Sequence, residues 1–338
     1  MEGTLATPNA SLPNITLFAT GGTIAGQGTS STKNDHYAVS ASTSDLLAAV
    51  PEVLTHANIA HHALTAVVSE NITQTILLQL HKAIAAELLK PDVAGVVLTH
   101  GTNTLEETAF FLELTLRTSK PVVCTAAMRP ATAISADGPA NLLQSVVLAT
   151  AASARDRGVL VAMNDKIASA AYTLKTHANN PASFSHSDAG TLGYFLDHKP
   201  FFHFTPARAV GLPHFDIAAT ESLPQIDILY AHQDMNPALV HASVASGARG
   251  IVFAGNGDGG IARAVFEAAR AVHEEFGTSV VRSHKVPYGW ASSEDFAIGS
   301  AHLNPNKARI LLQLAVHAGM DDSEIRAVFD ALRPSPWT

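Results

Sequence analysis

The feature that most constrains the fold is an alternation of short apolar runs with helical patterns. Apolar runs at residues 15–19, 95–98, 121–125 and 159–163 are separated by segments such as 73–89, whose apolar residues have helical spacing. A second series of the same kind runs from residue 226 to 332. This alternation is typical of parallel sheets covered by helices.

The stretch between the two series, residues 199–224, is rich in proline, histidine and aromatic residues and has no clear periodicity. A chain of 338 residues is expected to form about two domains. The sequence therefore predicts a two-domain α/β protein, with a larger N-terminal domain built on a doubly wound, mostly parallel sheet. We expect this domain at residues 1–205, a linker at 206–225 and a smaller C-terminal α/β domain at 226–338.

Two of the apolar runs end in loops rich in glycine and threonine. Residues 20–26 read TGGTIAG, and residues 99–107 read THGTNTLEE. Strand ends in an open α/β sheet are where reacting groups are displayed, and glycine lets the backbone approach a ligand closely. A threonine hydroxyl placed there can act as a nucleophile if a base lies nearby. The two loops therefore indicate a site that contains two threonines.

Composition narrows the classes of partner. The net charge is −8 and there is no block of lysine and arginine, which argues against a nucleic-acid partner. No apolar run approaches the roughly 18 residues that a membrane span needs, so we expect a soluble chain without a membrane partner. The single cysteine, Cys124, is interpreted as a small core residue. No HExxH or CxxC spacing occurs, so no metal site is predicted.

The N-terminal residues do not indicate the cellular location of the chain. Residues 1–12 lack the charged and the long apolar segments of an intact signal peptide. A cytoplasmic location therefore stays open, and so does a periplasmic or secreted one from which a signal has been removed.

The two loops also carry a family resemblance. Further stretches agree in order along the chain: MRP at 128–130, SADG at 135–138, MND at 163–165 and LNPNKAR at 303–309. From about residue 13 to residue 332 the chain resembles the bacterial-type L-asparaginases, a family that also contains glutaminase-asparaginases. The resemblance implies hydrolysis of L-asparagine to L-aspartate and ammonia through an acyl-threonine, with L-glutamine as a secondary substrate. It implies no cofactor, and a homotetramer whose sites are shared between subunits.

The resemblance also assigns roles to individual residues. The catalytic set is Thr23, Tyr37, Thr102, Lys175 and Glu294, and the substrate-binding set is Gly22, Ser69, Glu70, Gly101, Asn103 and Asp258. Thr23 would attack the amide, and Lys175 would act as a base, since a buried lysine can lose its charge. Ser69 would bind the α-carboxylate of the substrate, and Glu70 would face its α-amino group.

The base that activates Thr23 has two candidates. In the family it is a tyrosine on a lid, which corresponds here to residues 26–37 and contains Tyr37. An alignment without gaps places His36 at that position instead, and histidine is a competent base near neutral pH. Glu294 matches the glutamate that supports the lid from a partner subunit, and Asp295 is the alternative.

Two departures from the family pattern fall near the substrate. Asn103 stands where the family has an aspartate, so a charge-assisted bond to the substrate ammonium becomes a neutral one, roughly half as strong. Asp258 stands where the family has an asparagine that approaches a neighbouring subunit's site. We hypothesise an exchange, in which Asp258 of one subunit supplies the carboxylate that Asn103 lacks. The alternatives are independent drift at the two positions, or a change at Asn103 that inactivates the site.

Two other classes of function compete. Residues 255–260, GNGDGG, fit the GxGxxG pattern of dinucleotide-binding proteins, which is weak evidence when it occurs alone. Asn103 and the uncertain lid base would also fit a catalytically weakened amino-acid-binding homologue. Thr23, Thr102 and Lys175 speak against that reading, because a binding protein needs no lysine base.

Overall fold

The computed structural model describes residues 2–4, 8–33, 37–186 and 188–333. The chain divides into two compact units, Met1–Arg208 and Ala209–Thr338. Each unit is built from strands and helices around its own sheet, so the predicted two-domain α/β class is confirmed. The linker at 206–225 remains a prediction, and the described chain forms neither helix nor strand at residues 203–225.

The first unit holds thirteen described strands and four described α-helices. The strands are β1 (Glu2–Thr4), β2 (Asn14–Gly21), β3 (Gly26–Gly28), β4 (Tyr37–Val39), β5 (Asn58–Val67), β6 (Val93–Thr99), β7 (Val122–Thr125), β8 (Val159–Met163), β9 (Lys166–Ser169), β10 (Leu174–Lys175), β11 (Phe184–Ser185), β12 (Gly193–Leu196) and β13 (Lys199–Phe202). The helices are α1 (Thr43–Ala48), α2 (Gln74–Leu89), α3 (Leu105–Thr115) and α4 (Gly138–Thr150).

One large sheet organises this unit. Within the described residues its order is β1-β5-β2-β6-β7-β8-β9-β12-β13. The five strands from β5 to β8 run parallel, and the flanking pairs are antiparallel. Strands covered on both faces read as continuous apolar runs, which is why β6, β7 and β8 were recognisable in the sequence. Two small antiparallel pairs, β3 with β4 and β10 with β11, lie outside this sheet.

The central strands and the helices of the first unit share one apolar core. Leu17, Val97, Val123 and Leu160 on four adjacent strands pack with Val146 of α4, and all are buried. Burial of such side chains contributes roughly 1.5–3 kcal/mol each relative to exposure. Cys124 on β7 is also buried, and burial raises the pKa of its thiol to about 12, as expected of a core residue.

Arg157 fastens the chain near the end of the first unit. Its guanidinium donates to the carbonyl oxygens of Ser153, Phe204 and Thr205 and lies 3.8 Å from the ring centre of Phe202. These bonds satisfy a charged side chain that is almost fully buried. The segment that follows β13 is therefore tied to the body of the unit.

The second unit contains a four-stranded sheet within the described residues, with the order β14-β15-β16-β17 and parallel pairing throughout. Its strands are β14 (Ile226–Tyr230), β15 (Gly250–Gly255), β16 (Ser279–His284) and β17 (Ile298–Gly299), and its helices are α5 (Ala238–Ala245), α6 (Arg263–Phe276), α7 (Pro305–His317) and α8 (Asp322–Asp330). Phe253 of β15 and Val265 and Val272 of α6 lie in its core. None of the described helices has the length and apolar character needed to cross a membrane.

Candidate active site

A cavity of about 360 Å³ opens at the carboxyl ends of β2 and β6 in the first unit. This is the edge of a parallel sheet at which ligands bind in open α/β proteins. Its lining combines hydroxyls, one amine, one carboxylate and two amides. The lining residues are Thr23, Val68, Ser69, Glu70, Gly101, Thr102, Asn103, Met128, Lys175, Ala178 and Asn179.

The loops that form the cavity touch one another through glycine. Gly22 has φ +81°, and a Cβ atom there would lie 2.3 Å from the Cα atom of Gly101. A Cβ atom on Gly101 would in turn lie 2.7 Å from the Cβ atom of Ser69. Only glycine permits these approaches. Three strand-end loops are thereby pressed together at one point.

Thr23 follows this contact directly. It begins the 3-10 turn Thr23–Ala25, is 7% exposed and lines the cavity. Gly22 donates its N–H to the carbonyl oxygen of Val67 at 2.9 Å, which ties the loop before Thr23 to the end of β5. The threonine is thus held by backbone contacts and faces the cavity with little solvent exposure.

Thr102 and Lys175 lie in hydrogen-bond contact. The Nζ atom of Lys175 donates to Thr102 Oγ1 at 2.9 Å and to Asn103 Oδ1 at 2.7 Å. Thr102 is 5% exposed. Burial lowers the pKa of Lys175, while the nearby charges of Glu70 and Glu106 act in the opposite direction. A lysine in this setting can reach its neutral form and accept a proton from a hydroxyl.

Asn103 uses both ends of its amide within the site. Its Oδ1 atom accepts from Lys175, and its Nδ2 atom donates to Glu70 Oε2 at 3.2 Å. Its oxygen is therefore already engaged, and Glu70 is the carboxylate among the lining residues. Ser69 beside it is 4% exposed, and its Oγ atom accepts the N–H of Thr104 at 3.3 Å.

The segment predicted as a lid begins with β3 and ends at the first residue of β4. β3 and β4 pair antiparallel, with Gly28 opposite Tyr37. Gly26 accepts from the N–H of Ala131, and Gly28 donates its N–H to Thr132 Oγ1 at 2.9 Å. The backbone of Tyr37 belongs to β4, whereas His36 lies outside the described residues, so the choice between these two bases stays open.

Asp258 and Glu294 belong to the second unit. Asp258 lies on an exposed turn after β15. Glu294 is 60% exposed at its side chain and forms an ion pair with Arg282, whose Nε atom also donates to the carbonyl oxygen of Gly259. Asp295, the alternative to Glu294, pairs with Arg270 at 2.5 Å. None of these three acids is among the residues that line the cavity of the first unit.

In the turn that fits GxGxxG, backbone N–H groups form hydrogen bonds within the turn itself. The N–H groups of Asn256 and Gly260 bond to each other's carbonyl oxygens at 2.8 and 2.7 Å, and Gly259 donates to Asn256 at 3.0 Å. Dinucleotide sites direct such N–H groups at the pyrophosphate. The described residues also hold no group of three histidine, cysteine, aspartate or glutamate side chains suited to a metal ion.

Sequence reasoning missed four lining residues: Val68, which directly precedes Ser69, Met128, Ala178 and Asn179. Met128 is held by its N–H bond to Asp137 Oδ2 at 2.9 Å. It belongs to one of the stretches that carry the family resemblance, so a signal for it was present. Ala178 and Asn179 lie shortly after Lys175 and carried no signal, since no motif includes them.

The chain is similar to known proteins over most of its length. Residues 14–208 match the family described as "Asparaginase, N-terminal", and residues 225–329 match "Glutaminase/Asparaginase C-terminal domain". A protein of Schizosaccharomyces pombe named "Probable L-asparaginase 4" is 44% identical over 95% of this chain and 90% of its own length. "L-asparaginase 2" of Escherichia coli is 40% identical over 94% of this chain and 93% of its own length.

The fold agrees as well. The crystal structure of "Probable Cytoplasmic L-asparaginase" from Campylobacter jejuni has a TM-score of 0.91 and 40% identity, and it covers 94% of this chain and 99% of that one. Family matches cover most of both units, and the relatives match nearly end to end. The chain therefore belongs to the asparaginase family of amidohydrolases.

Proposed function

We propose that this protein hydrolyses L-asparagine to L-aspartate and ammonia. The observation that carries the proposal is the 2.9 Å hydrogen bond from Lys175 Nζ to Thr102 Oγ1 in a cavity that Thr23 also lines. Amide hydrolysis by threonine needs a hydroxyl and a base that can take its proton, and the contact of Lys175 with Thr102 supports such chemistry. Relatives with 40–44% identity that bear the name L-asparaginase support the substrate.

The reaction takes two steps. In the first, Thr23 Oγ1 attacks the carbon of the side-chain amide, its proton passes to a base, and the C–N bond breaks as ammonia leaves with a proton. Tyr37 or His36 serves as that base, supported by Glu294 of the partner subunit. In the second, water attacks the acyl-threonine ester, Thr102 and Lys175 take up the water's proton, and the proton returns to Thr23 as aspartate is released.

The α-carboxylate and the α-ammonium of the substrate are bound by a second group of residues. Ser69 binds the α-carboxylate together with the glycine backbone at Gly22 and Gly101. Glu70 binds the α-ammonium, helped by the exchange in which Asp258 of the partner subunit replaces the charge that Asn103 lacks. This arrangement needs a homo-oligomer, which we take to be a tetramer with shared sites. L-glutamine is a secondary substrate, since one methylene discriminates by only about 1–3 kcal/mol.

The proposal is tested by ammonia release from L-asparagine by the purified chain. Thr23→Ala is expected to lower kcat by on the order of 10³-fold or more, because it removes the nucleophile and leaves the fold intact. Release that is equal in both proteins would overturn the role of Thr23. Thermal stabilisation by L-asparagine without ammonia release from either protein would favour the amino-acid-binding alternative.

A further inference from the structure

The first turn of α3 contacts three walls of the cavity. Thr102 and Asn103 directly precede the helix in the chain. Thr104, its N-terminal capping residue, donates its Oγ1 hydroxyl to the carbonyl oxygen of Ser69 at 2.8 Å. Glu106 in the first turn accepts the backbone N–H of Lys175 at its Oε2 atom, 2.6 Å away. One helix end thus connects the second threonine, the substrate loop and the lysine.

We propose that Glu106 is a positioning residue for hydrolysis, which holds the backbone of Lys175 where its Nζ atom reaches Thr102. This inference rests on the proposed function, because it assumes that Lys175 acts as the base. Glu106 lies behind the lysine rather than among the residues that line the cavity, and it is 3% exposed.

The local structure explains why such a support is needed. Lys175 lies on β10, a strand of two residues that pairs only with β11 among the described strands. Lysine has a long, flexible side chain, so the position of its Nζ atom depends on a fixed backbone. A misplacement of about 1 Å in a catalytic group can lower the rate about 100-fold. The bond to Glu106 supplies a fixed point at the base of that side chain.

The hydrogen bond from the N–H of Lys175 to Glu106 is of a strong type. A carboxylate that accepts a backbone N–H forms a charge-assisted hydrogen bond, about twice as strong as a neutral one. Glu106 also stands in the first turn of α3, where the helix dipole favours a negative charge. The end of the helix is therefore a favourable place for an acidic side chain that accepts from Lys175.

Glu106 has a second effect through its charge. Its carboxylate and that of Glu70 work to raise the pKa of Lys175 against the larger lowering by burial. If Glu106 becomes a neutral amide, the pKa of Lys175 falls further, and the neutral amine is present at lower pH. The pH dependence of the reaction therefore distinguishes Glu106 from a residue that only maintains the fold.

The experiment compares Glu106→Ala, Glu106→Gln and the control Glu107→Gln, measuring kcat and KM for L-asparagine from pH 5 to pH 9. Glu107→Gln removes the same charge one residue further along the helix. Glu106→Ala is expected to lower kcat about 100-fold and to change KM less than about threefold, since it loosens the lysine and not the substrate loop. Glu106→Gln, which keeps an acceptor, is expected to restore most of kcat and to move the acid limb of the profile to lower pH. Glu107→Gln should follow the wild type.

The outcomes separate this inference from the function on which it rests. The role of Glu106 alone would be overturned by one set of results. Folded Glu106→Gln and Glu106→Ala would show the kcat and the acid limb of the wild type, while Lys175→Met would be inactive. Full activity of Lys175→Met would overturn the role of the base, and the positioning role with it. If Glu106→Ala fails to fold, the acid limb of Glu106→Gln decides.

Discussion

Both sheets end a central strand in a glycine turn, and the two turns have different surroundings. The turn after β2 is buried, because its Gly22 presses against Gly101 of a neighbouring loop. The turn after β15 closes on itself through mutual hydrogen bonds of Asn256 and Gly260 and leaves Asp258 exposed. A glycine turn that packs closely against other loops helps to form a cavity. A glycine turn whose backbone groups hydrogen-bond to one another instead leaves a side chain exposed.

The largest effect that this comparison predicts concerns the two glycines. Gly22→Ala places a methyl group against the backbone of Gly101 and demands φ +81° of an alanine, so it should destabilise the first unit by on the order of 4 kcal/mol and abolish activity. Gly257→Ala also needs a positive φ, +50°, but meets no atom within 4 Å, and should cost about 1 kcal/mol. Urea unfolding and ammonia release measure both. Equal losses would show that packing does not separate the turns.

The next prediction uses the exposed turn. Asp258→Asn removes the carboxylate that the proposed exchange assigns to the substrate ammonium, and should lower kcat/KM for L-asparagine by on the order of 10³-fold. Asn103→Asp should be tolerated or should raise activity, because it returns a charge to the same place.

The control for this pair is Asp234→Asn, an exposed aspartate of the second unit with a positive φ of 56°. It makes the same chemical change away from the turn and should leave the kinetics unchanged. Unchanged kinetics in Asp258→Asn as well would leave the outward-facing turn without a part in the reaction.

The smallest expected effect is a pH dependence of the free energy of unfolding that comes from a buried carboxyl group. The carboxyl group of Glu113 on α3 is packed against Gly158 and Val159, although the residue keeps part of its surface exposed, and burial raises its pKa to about 7. Because the pKa of Glu113 is higher in the folded than in the unfolded chain, its contribution to the free energy of unfolding is fully present below the unfolded pKa near 4.5. That contribution is lost as the pH rises through the folded pKa of about 7. The free energy of unfolding should therefore fall by at most about 3 kcal/mol across this window.

Glu113→Gln should remove that dependence while keeping an acceptor for the N–H of Val159. Glu267→Gln, which removes a carboxylate that is 55% exposed in the second unit, is the matched control. Urea unfolding at several pH values compares the two variants with the wild type. The same pH slope in Glu113→Gln and wild type would show that the buried acid does not set it.

Much of the fold could be read from the sequence because its central strands are continuous apolar runs. The apolar run at residues 159–163 coincides with β8, and the second series begins at residue 226, as β14 does. β5 was missed although it pairs with β2, since its ten residues include two histidines and only Ile59 and His61 among them are buried. The hairpin strands β9, β12 and β13 were missed because each has only four residues and they lie in stretches with charged residues and proline.

The cavity was less accessible to sequence reasoning than the strands. The two threonine loops were visible because glycine and threonine follow apolar runs, and the sheet places both loops at one edge. The contact of Glu106 with Lys175 joins residues 69 positions apart and leaves no periodic trace. The roles of the site residues remain predictions that rest on the family resemblance and on the geometry described above.

The hydrogen bonds of Arg157 determine where the first unit can be truncated. A fragment that ended after Phe202 would contain every strand of the large sheet but would leave a buried guanidinium without the carbonyl oxygens of Phe204 and Thr205. A fragment that ended after Arg208 would keep both, and also the bond from Arg208 to the carbonyl oxygen of Thr118. For truncation or limited proteolysis, the smallest autonomous piece is thus defined by its last hydrogen-bonded peptide groups rather than by its last strand.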